Sequence, residues 1–236
     1  MTASRFTARR RRGRVRRVLA VVAVLMGVAA VTGAVWLVGW SKVMALETVR
    51  VEGADGELAG VVEQVAEVPF GDPLVRVDSD AIAARVRDLP ELASVSVARS
   101  WPRTVVISVT PRVAAAAITD ADTWWLVDAS GALFGETSEQ PADLPVLDAP
   151  VDAAAGATRA AGVAVLDGLP AGLRDLVGAV SAESEADVRL ELVDGATVRW
   201  GRPEHADRKA EVLLALLDQK ASSYDVSAPE RPAIVP

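Results

Sequence analysis

Few residue types in this 236-residue sequence could perform chemistry, because it has no cysteine and a single histidine, His205. Without cysteine the chain can form no disulfide, no thiolate nucleophile and no Cys-ligated zinc site. One histidine cannot supply a two-histidine metal site, and it leaves one candidate for a catalytic triad or dyad. We therefore expect no cofactor and no bound metal.

The remaining candidates lack the surroundings that catalysis needs. His205 lies at the start of a predicted helix, beside Glu204 and Asp207, where we expect it to be solvated. A general base would need a nucleophile or a water site next to it. Lys209 and Lys220 could activate a serine, but no Ser–Lys motif surrounds either residue. The sequence thus favours a protein that is not an enzyme and has no small-molecule substrate.

The charges are divided between the two parts of the chain. Residues 1–42 hold nine of the 25 basic residues and none of the 32 acidic ones, so the net charge of −7 separates into +9 and −16. An uncharged stretch, Val18 to Val38, follows the basic tail. As a helix it would be about 31 Å long, which matches the core of a bilayer. Trp36 and Trp40 lie near its outer end, where indole rings favour the interface.

These features predict a basic cytoplasmic tail at 1–17, a transmembrane helix at 18–40 and an extracytoplasmic remainder, a single-pass type II protein of the cytoplasmic membrane. The topology signal is the arginine cluster before the apolar stretch: Arg9, Arg10, Arg11, Arg12, Arg14, Arg16 and Arg17.

Three alternatives remain for this part of the chain. The stretch could be a signal peptide cleaved near Val43-Met44-Ala45, although it is longer than a usual h-region. The arginines could bind nucleic acid, but their place beside an apolar span favours topology and anionic lipid. Small residues in the span, such as Ala23 and Gly27, could pack against a partner helix.

The segment 46–117 alternates between strand and helix patterns. Leu46 to Gly53 predicts a short, half-buried strand closed by glycine. Helices are predicted at Glu57 to Val68 and Asp80 to Asp88, each ending near a proline. Two strands with alternating β-branched residues then flank a turn at Arg99 to Arg103. This order predicts a small α+β domain with two helices on a three-stranded sheet.

Three stretches of this segment carry a recognisable pattern: VRVEG, GDPLVRVD and LPELASVSVARSWPRTVVISVTPRVAAA. They resemble the POTRA domain of FtsQ/DivIB-type bacterial cell-division proteins, most clearly at Arg99, Trp101 and Pro102. Pro111-Arg112 stands where the family has Glu-Arg, a minor departure. Since this domain is the family's recruitment module, the resemblance marks Arg99, Trp101 and Pro102 as recruitment candidates. Trp101 could instead be a rim aromatic that covers the hairpin turn.

Residues 118–236 predict a mostly antiparallel β domain. WWLVDASGALF, within the strand and turn that begin at Asp122, resembles the first hairpin of the FtsQ β domain. A surface loop is predicted at 148–160 and a short helix at Ala161 to Leu169. Asp187 to Trp200 is the clearest hairpin, because Asp194-Gly195 is a preferred turn dipeptide.

The last 33 residues predict an amphipathic helix, Glu204 to Gln219, followed by extended terminal segments. We expect Lys209 on the solvent side of that helix. VRWG, KAEVLLALL and YDVSAPERPAIV resemble the FtsQ C-terminal region. FtsQ-type proteins bind the FtsB/DivIC coiled-coil subunit by β-augmentation at the terminal strand and its neighbouring helix. The implied partner-binding residues are Tyr224, Asp225, Val226, Arg231, Pro232, Ala233, Ile234 and Val235. Alternatively, Pro229, Pro232 and Pro236 could protect that sheet edge from pairing.

The resemblance implies a divisome scaffold at the cytoplasmic membrane and division septum. It would link early and late division proteins through FtsB-like and FtsL-like partners and help to control the septal peptidoglycan synthases FtsW and FtsI. Two other classes compete with this interpretation. One is a membrane-anchored peptidase or wall hydrolase, which the missing triad disfavours. The other is a POTRA module for protein secretion or outer-membrane assembly, which would predict tandem POTRA repeats or an attached β-barrel.

Overall fold

The computed structural model describes residues 19–33, 36, 44–121 and 123–235. Residues 19–33 and Trp36 are helical, and their side chains are exposed. Among the described residues, no helix combines the length and the apolarity that a bilayer crossing requires. The predicted tail at 1–17, with its seven topology arginines, and parts of the predicted span at 18–40 lie outside the described residues.

From residue 44 onward, the described chain forms two compact units, with a boundary between Thr110 and Pro111 and with Pro90–Ala93 in the second unit. The first unit's elements are β1 (Thr48–Glu52), α1 (Gly56–Ala66), α2 (Ser79–Arg87), β2 (Leu92–Ser100) and β3 (Thr104–Pro111). The strands pair in the order β1-β3-β2, and β1 is parallel to β3. Two helices and three strands are what the sequence pattern predicts.

Local sequence explains the first unit's elements. The carboxylate of Asp78 caps α2 by accepting hydrogen bonds from the backbone N–H groups of Asp80 and Ala81, at 3.1 and 3.0 Å. The central strand β3 alternates buried Val105 and Ile107 with partly exposed neighbours, as a strand with one covered face should. The buried side chains of the two helices complete this core: Val62, Ala66, Ile82, Ala83 and Val86.

The second unit is a larger α+β assembly. Its elements are β4 (Ala114–Asp120), β5 (Thr123–Asp128), β6 (Leu133–Thr137), β7 (Leu147–Asp148), α3 (Gly156–Gly168), α4 (Ala171–Arg174), β8 (Val177–Ser184), β9 (Asp187–Leu192), β10 (Thr197–Arg199), α5 (Ala206–Leu216), β11 (Ser223–Asp225) and β12 (Ala233–Val235). One sheet has the order β4-β5-β6, and a six-stranded sheet has the order β12-β11-β10-β9-β8-β7. Pairing is antiparallel except for β7 with β8 and β10 with β11.

The core of this unit lies between the six-stranded sheet and its helices. Trp200 is its largest fully buried side chain, and Leu190 of β9, Leu173 of α4 and Leu213 of α5 are also fully buried in it. These positions come from strands and helices alike, so the core holds α5, β10 and β11 in fixed relation to one another. That arrangement positions the C-terminal edge of the sheet.

The predicted loop at 148–160 is wrong in its second half, because α3 begins at Gly156. Asp152 starts a short 3₁₀ turn, its side chain accepting from the N–H of Ala154 at 2.9 Å. Arg159 is buried, with 3% exposure, and its guanidinium donates to the carbonyl oxygens of Gly131, Pro150 and Asp152. This arginine fixes the first turn of α3, and the surrounding Ala, Asp and Gly composition hides that role.

The predicted solvent position of Lys209 is also wrong, since its side chain is only 2% exposed. Its Nζ donates to the carbonyl oxygen of Arg202 at 2.7 Å and lies 5.9 Å from the centroid of the Trp200 ring. The aliphatic stem of a lysine can be covered by apolar neighbours while the ammonium finds an acceptor. Burial lowers the pKa of Lys209, and the charge of Glu204 acts in the opposite direction.

Candidate functional site at the C-terminal sheet edge

The terminal strand β12 forms one edge of the six-stranded sheet. It pairs antiparallel with β11, with Ser223 opposite Val235, Tyr224 opposite Ile234 and Asp225 opposite Ala233. A sheet edge carries backbone donors and acceptors that a further strand can use. This edge is therefore the part of the described chain that best fits the predicted partner-binding segment.

The bonds between β10 and β11 determine which backbone groups of β11 face the edge. Thr197 N–H donates to the carbonyl of Ser222 at 3.1 Å, and Val226 N–H donates to the carbonyl of Arg199 at 3.0 Å. Residues 222, 224 and 226 therefore direct their backbone groups toward β10. Since the direction alternates along a strand, residues 223 and 225 direct theirs toward β12.

It follows that Ala233 and Val235 direct their backbone groups toward β11, where they oppose Asp225 and Ser223. The N–H and C=O of Ile234 point the other way, toward the open side of the sheet. Pro232, the preceding residue of that outward set, offers a carbonyl but has no N–H. The edge thus presents Ile234 N–H as its donor and the carbonyls of Ile234 and Pro232 as its acceptors.

The predicted site residues divide between the two faces of this edge. Tyr224 and Val226 are buried, with 2% and 0% exposure. Tyr224 Oη donates to the carbonyl of Gln219 at 2.8 Å and accepts from the N–H of Ala221 at 3.2 Å, which ties β11 to the chain that follows α5. Their side chains therefore support the edge from inside, whereas Arg231, Pro232 and Ala233 are exposed beside it.

The opposite face of the sheet carries a row of charges that ends at this edge. Arg189, Arg199, Asp225 and Ala233 are directly opposed on β9, β10, β11 and β12. The carboxylate of Asp225 lies 3.6 Å from Arg199 and accepts from the N–H and the hydroxyl of Ser227, at 2.9 and 2.6 Å. These bonds fix the turn after β11, from which the chain returns as β12.

An open groove of about 800 Å³ lies beside β11, and sequence reasoning missed it. Leu176, Val193 and Tyr224 line it together with Leu217 and Lys220. Leu176 and Val193 are 41% and 73% exposed. Val193, an apolar residue directly before the Asp194-Gly195 turn, is the signal that could have indicated this groove, but single exposed apolar residues are common on protein surfaces.

In the first unit, the POTRA-like turn places its three candidate residues differently. The guanidinium of Arg99 donates to the carbonyl of Val77 at 3.0 and 2.7 Å, so it fixes the turn against the loop before α2. Trp101 is 53% exposed, and the peptide bond to Pro102 is cis. Trp101 therefore leaves about half of its surface open to a binding partner.

His205, the histidine that the sequence offers as a catalytic candidate, lies on the surface of the second unit. His205 is exposed and precedes α5 in a left-handed conformation, with φ of 60°. Within the part of the chain that the structure describes, no group of three or more His, Cys, Asp or Glu side chains is arranged to hold a metal ion.

Comparisons with known proteins agree with the two units. Residues 44–112 match the family model for the POTRA domain, FtsQ-type, and residues 116–229 match the model for the C-terminal region of cell division protein FtsQ/DivIB. The cell division protein FtsQ of Streptomyces bingchenggensis is 36% identical over 86% of this chain and 80% of its own length. This chain belongs to the FtsQ/DivIB family. The resemblance predicted from the sequence is thereby confirmed, and FtsQ/DivIB membership gives the chain a role in cell division.

Two further FtsQ proteins and one solved structure are also similar to parts of this chain. That of Streptomyces venezuelae is 38% identical over 86% of this chain and 79% of its own length. That of Mycolicibacterium smegmatis is 37% identical over 84% of this chain and 59% of its own length. A solved extracytoplasmic domain of DivIB from Geobacillus stearothermophilus is 24% identical, with a TM-score of 0.32 over 42% of this chain and 85% of that chain.

Proposed function

We propose that this FtsQ/DivIB protein is a non-catalytic, membrane-anchored scaffold of the divisome whose terminal strand binds an FtsB/DivIC-like partner. The observation that supports the proposal most directly is the position of β12 at a sheet edge, with Ile234 N–H and C=O directed outward. A partner segment in extended conformation would continue the sheet by pairing with these groups. An FtsL-like protein would join through that partner, and the complex would influence the septal synthases FtsW and FtsI.

The membrane anchor of this proposal is the segment 18–40. Its support is the apolar sequence and the described helix at 19–33, whose large apolar side chains, such as Leu25 and Met26, are 61% and 68% exposed. A helix with apolar side chains on all sides requires a covering environment, and lipid supplies one. The N-terminus would be cytoplasmic, and both described units would lie outside the cell membrane, at the division septum.

The edge itself suggests a short and selective contact. Pro232 lacks an N–H, and the sequence continues after Val235 with Pro236, which lacks one as well. The two prolines flank a single outward donor at Ile234, so indiscriminate pairing with long strands is discouraged. Partner pairing and protection by proline, the two alternatives for this edge, are therefore compatible. The prolines restrict the hydrogen bonds that the edge can form, and the N–H of Ile234 remains available to a matching partner.

Substitution at Ile234 tests this docking without removing the core. Deleting Tyr224–Pro236 should also abolish binding and leave placement at midcell, but it removes the buried Tyr224 and Val226 with the edge. Ile234→Pro removes the outward N–H while leaving the inward bonds of Ala233 and Val235 to β11. Ile234→Ala is the matched control, because it shortens the side chain and keeps the N–H.

We expect Ile234→Pro to lose capture of the purified FtsB-like partner, with Ile234→Ala retaining it, while circular dichroism and thermal unfolding show both variants folded. Equal capture by Ile234→Pro and wild type would refute docking at β12. In cells, a fluorescent fusion should locate to midcell, and depletion should give undivided filamentous or branched cells.

A further inference from the structure

We propose that the first unit of this chain docks on the membrane surface through a patch formed by Phe70, Val75 and Trp101, here named the proximal patch. The inference goes beyond partner binding at β12, but it rests on the proposed membrane anchor at 18–40. It concerns a different surface, in the first unit, and a different kind of partner, the lipid interface.

Within residues 44–110, the proximal patch holds three of the four large apolar side chains that are exposed. Among described residues 44–110, the large apolar side chains that are substantially exposed are Val61, Phe70, Val75 and Trp101, at 37%, 63%, 41% and 53%. Three of these four belong to the proximal patch. Two of the three are aromatic, and exposed aromatic side chains are not the usual covering of a soluble surface.

Backbone hydrogen bonds place the patch around the first residues of the unit. Leu46 N–H donates to the carbonyl of Asp72 at 2.9 Å, and Gly71 N–H donates to the carbonyl of Leu46 at 3.0 Å, so Phe70 directly precedes this contact. An isolated antiparallel bridge joins Ala45 to Pro73, two residues before Val75.

The turn that carries Trp101 reaches the same place. The N–H groups of Glu47 and Thr48 both donate to the carbonyl of Arg103, at 3.0 and 3.2 Å. Trp101 is two residues from that carbonyl, and Arg99 fixes the turn through the carbonyl of Val77. The backbone at all three residues of the proximal patch thus lies close to the segment 45–48, through which the chain enters the unit.

Chain length connects this segment to the bilayer. Five residue steps separate Trp40, at the end of the predicted span, from Ala45, and a fully extended chain covers at most about 17 Å in that length. The interfacial layer of each leaflet is several ångströms thick. The end of the unit that carries the proximal patch is therefore held close to the lipid headgroups, whereas β1 leads away from that end toward Asp55.

The chemistry of the patch suits that location. Tryptophan and other aromatic side chains favour the boundary between headgroups and acyl chains, where an apolar ring and a polar edge are both accommodated. Contact with lipid would restrict the orientation of the unit, beyond what a short tether alone achieves. The occupant we assign is thus the bilayer surface next to the chain's own anchor.

The absence of cysteine in the natural sequence permits a direct test with single-cysteine variants of the full chain in proteoliposomes. Phe70→Cys and Trp101→Cys would each carry a polarity-sensitive fluorophore, with Asp55→Cys, exposed at the other end of β1, as the control. We expect blue-shifted emission and quenching by lipids with shallow nitroxides at positions 70 and 101. The label at position 55 should show water-like emission and no such quenching.

A second set of variants tests the patch as a unit. A label at Val75→Cys should lose its blue shift when Phe70→Ser and Trp101→Ser are combined, and Val61→Ser should leave it unchanged. Water-like emission at positions 70 and 101 in folded, membrane-inserted protein would overturn the proposal. A blue shift in emission that appears only after a soluble division protein is added would also overturn the proposal, because the patch would then bind a protein and not lipid. Flotation of the same vesicles tests the anchor separately: a chain that fails to float refutes the membrane anchor.

Discussion

At the residue scale, Lys209 is a buried cation whose burial should appear in the pH dependence of stability. Because burial lowers its folded pKa below the ordinary lysine value of 10.5, the unfolded chain binds more protons between the two values. Stability therefore rises with pH through that window. Lys209→Met removes this titration and keeps most of the stem that packs near Trp200.

We expect the free energy of unfolding of wild type, measured relative to Lys209→Met in urea, to increase as the pH is raised from neutral toward 10.5. Lys220→Met, which removes a lysine charge at an exposed position, is the matched control. A constant difference between wild type and Lys209→Met across this range would contradict the assignment of a buried ammonium.

Asp128 is a second residue whose surroundings should make the stability of the fold depend on pH. Burial opposes its ionisation, but hydrogen bonds from the Ser130 hydroxyl, the Arg112 guanidinium and backbone N–H groups outweigh burial and lower its pKa below 3.8. The carboxylate thus stabilises the fold above the ordinary value, and this contribution is lost as the pH falls through the folded pKa.

Replacing Asp128 by Asn should therefore cost about 1–3 kcal/mol of unfolding free energy at pH 7, since a charge-assisted pair is removed. The difference from wild type should shrink when urea denaturation is repeated below pH 3.8. Asp120→Asn, at an exposed position in β4, should have little effect at either pH. A cost for Asp128→Asn that does not change with pH would argue against the lowered pKa.

The burial of Lys209 and Arg159 could not be predicted from the sequence, because both depend on contacts that form only in the fold. Helical periodicity places Lys209 beside Ala210 and four residues before Leu213, on the buried face, but its charge suggested solvent. The carbonyl of Arg202 and the Trp200 ring, which the fold brings close to its Nζ, accommodate the buried ammonium. Arg159 follows the same logic, because its acceptors are carbonyls of Gly131, Pro150 and Asp152, which only the folded loops bring together.

At the element scale, the contact of α3 with the sheet depends on a glycine. A Cβ at Gly162 would lie 2.6 and 3.0 Å from the methyl carbons of Leu147 and 3.4 Å from the Cβ of Ala182. Leu147 is fully buried, so its side chain has no free space to move into. The glycine thus lets α3 approach β7 and β8 closely.

Gly162→Ala should destabilise the second unit by about 1–3 kcal/mol through overpacking, despite the better helix propensity of alanine. Gly172→Ala, in α4 with no atom within 4 Å of the added Cβ, is the control and should be neutral or slightly stabilising. Chemical denaturation of both variants gives the comparison. Equal stability of Gly162→Ala and wild type would show that α3 can shift without cost.

The sequence predicted individual strands better than it predicted their order in the sheet. The alternation in β3 and the Asp-Gly turn between β9 and β10 predicted those elements directly. The parallel pairing of β10 with β11 arises because α5 lies between them as a crossover helix, and such a connection brings strands side by side in parallel. Without the strand order, the sequence predicts a terminal strand, but it cannot show that the N–H and C=O of Ile234 point to the open side of the sheet.

At the scale of the whole molecule, the division of charge and the two binding surfaces fit one arrangement. Nine basic residues precede residue 43, and all 32 acidic residues follow it. In the proposed topology the basic tail remains at the cytoplasmic leaflet, the proximal patch meets the outer leaflet, and β12 is the contact for a division partner. In this proposal the first unit would orient the molecule on the membrane, and the second would carry the docking edge.

The orientation of the chain should depend on the charge of the seven-arginine cluster, because positive residues beside an apolar span retain that side in the cytoplasm. Replacing all seven by Gln should give a mixed orientation, whereas replacing them by Lys preserves the charge and should preserve the topology. Val193→Cys, 73% exposed in the second unit, reports the orientation through a membrane-impermeant maleimide applied to intact cells. Full labelling is expected with Arg or Lys and reduced labelling with Gln. Full labelling of the Gln variant would contradict the assignment of the topology signal to these seven arginines.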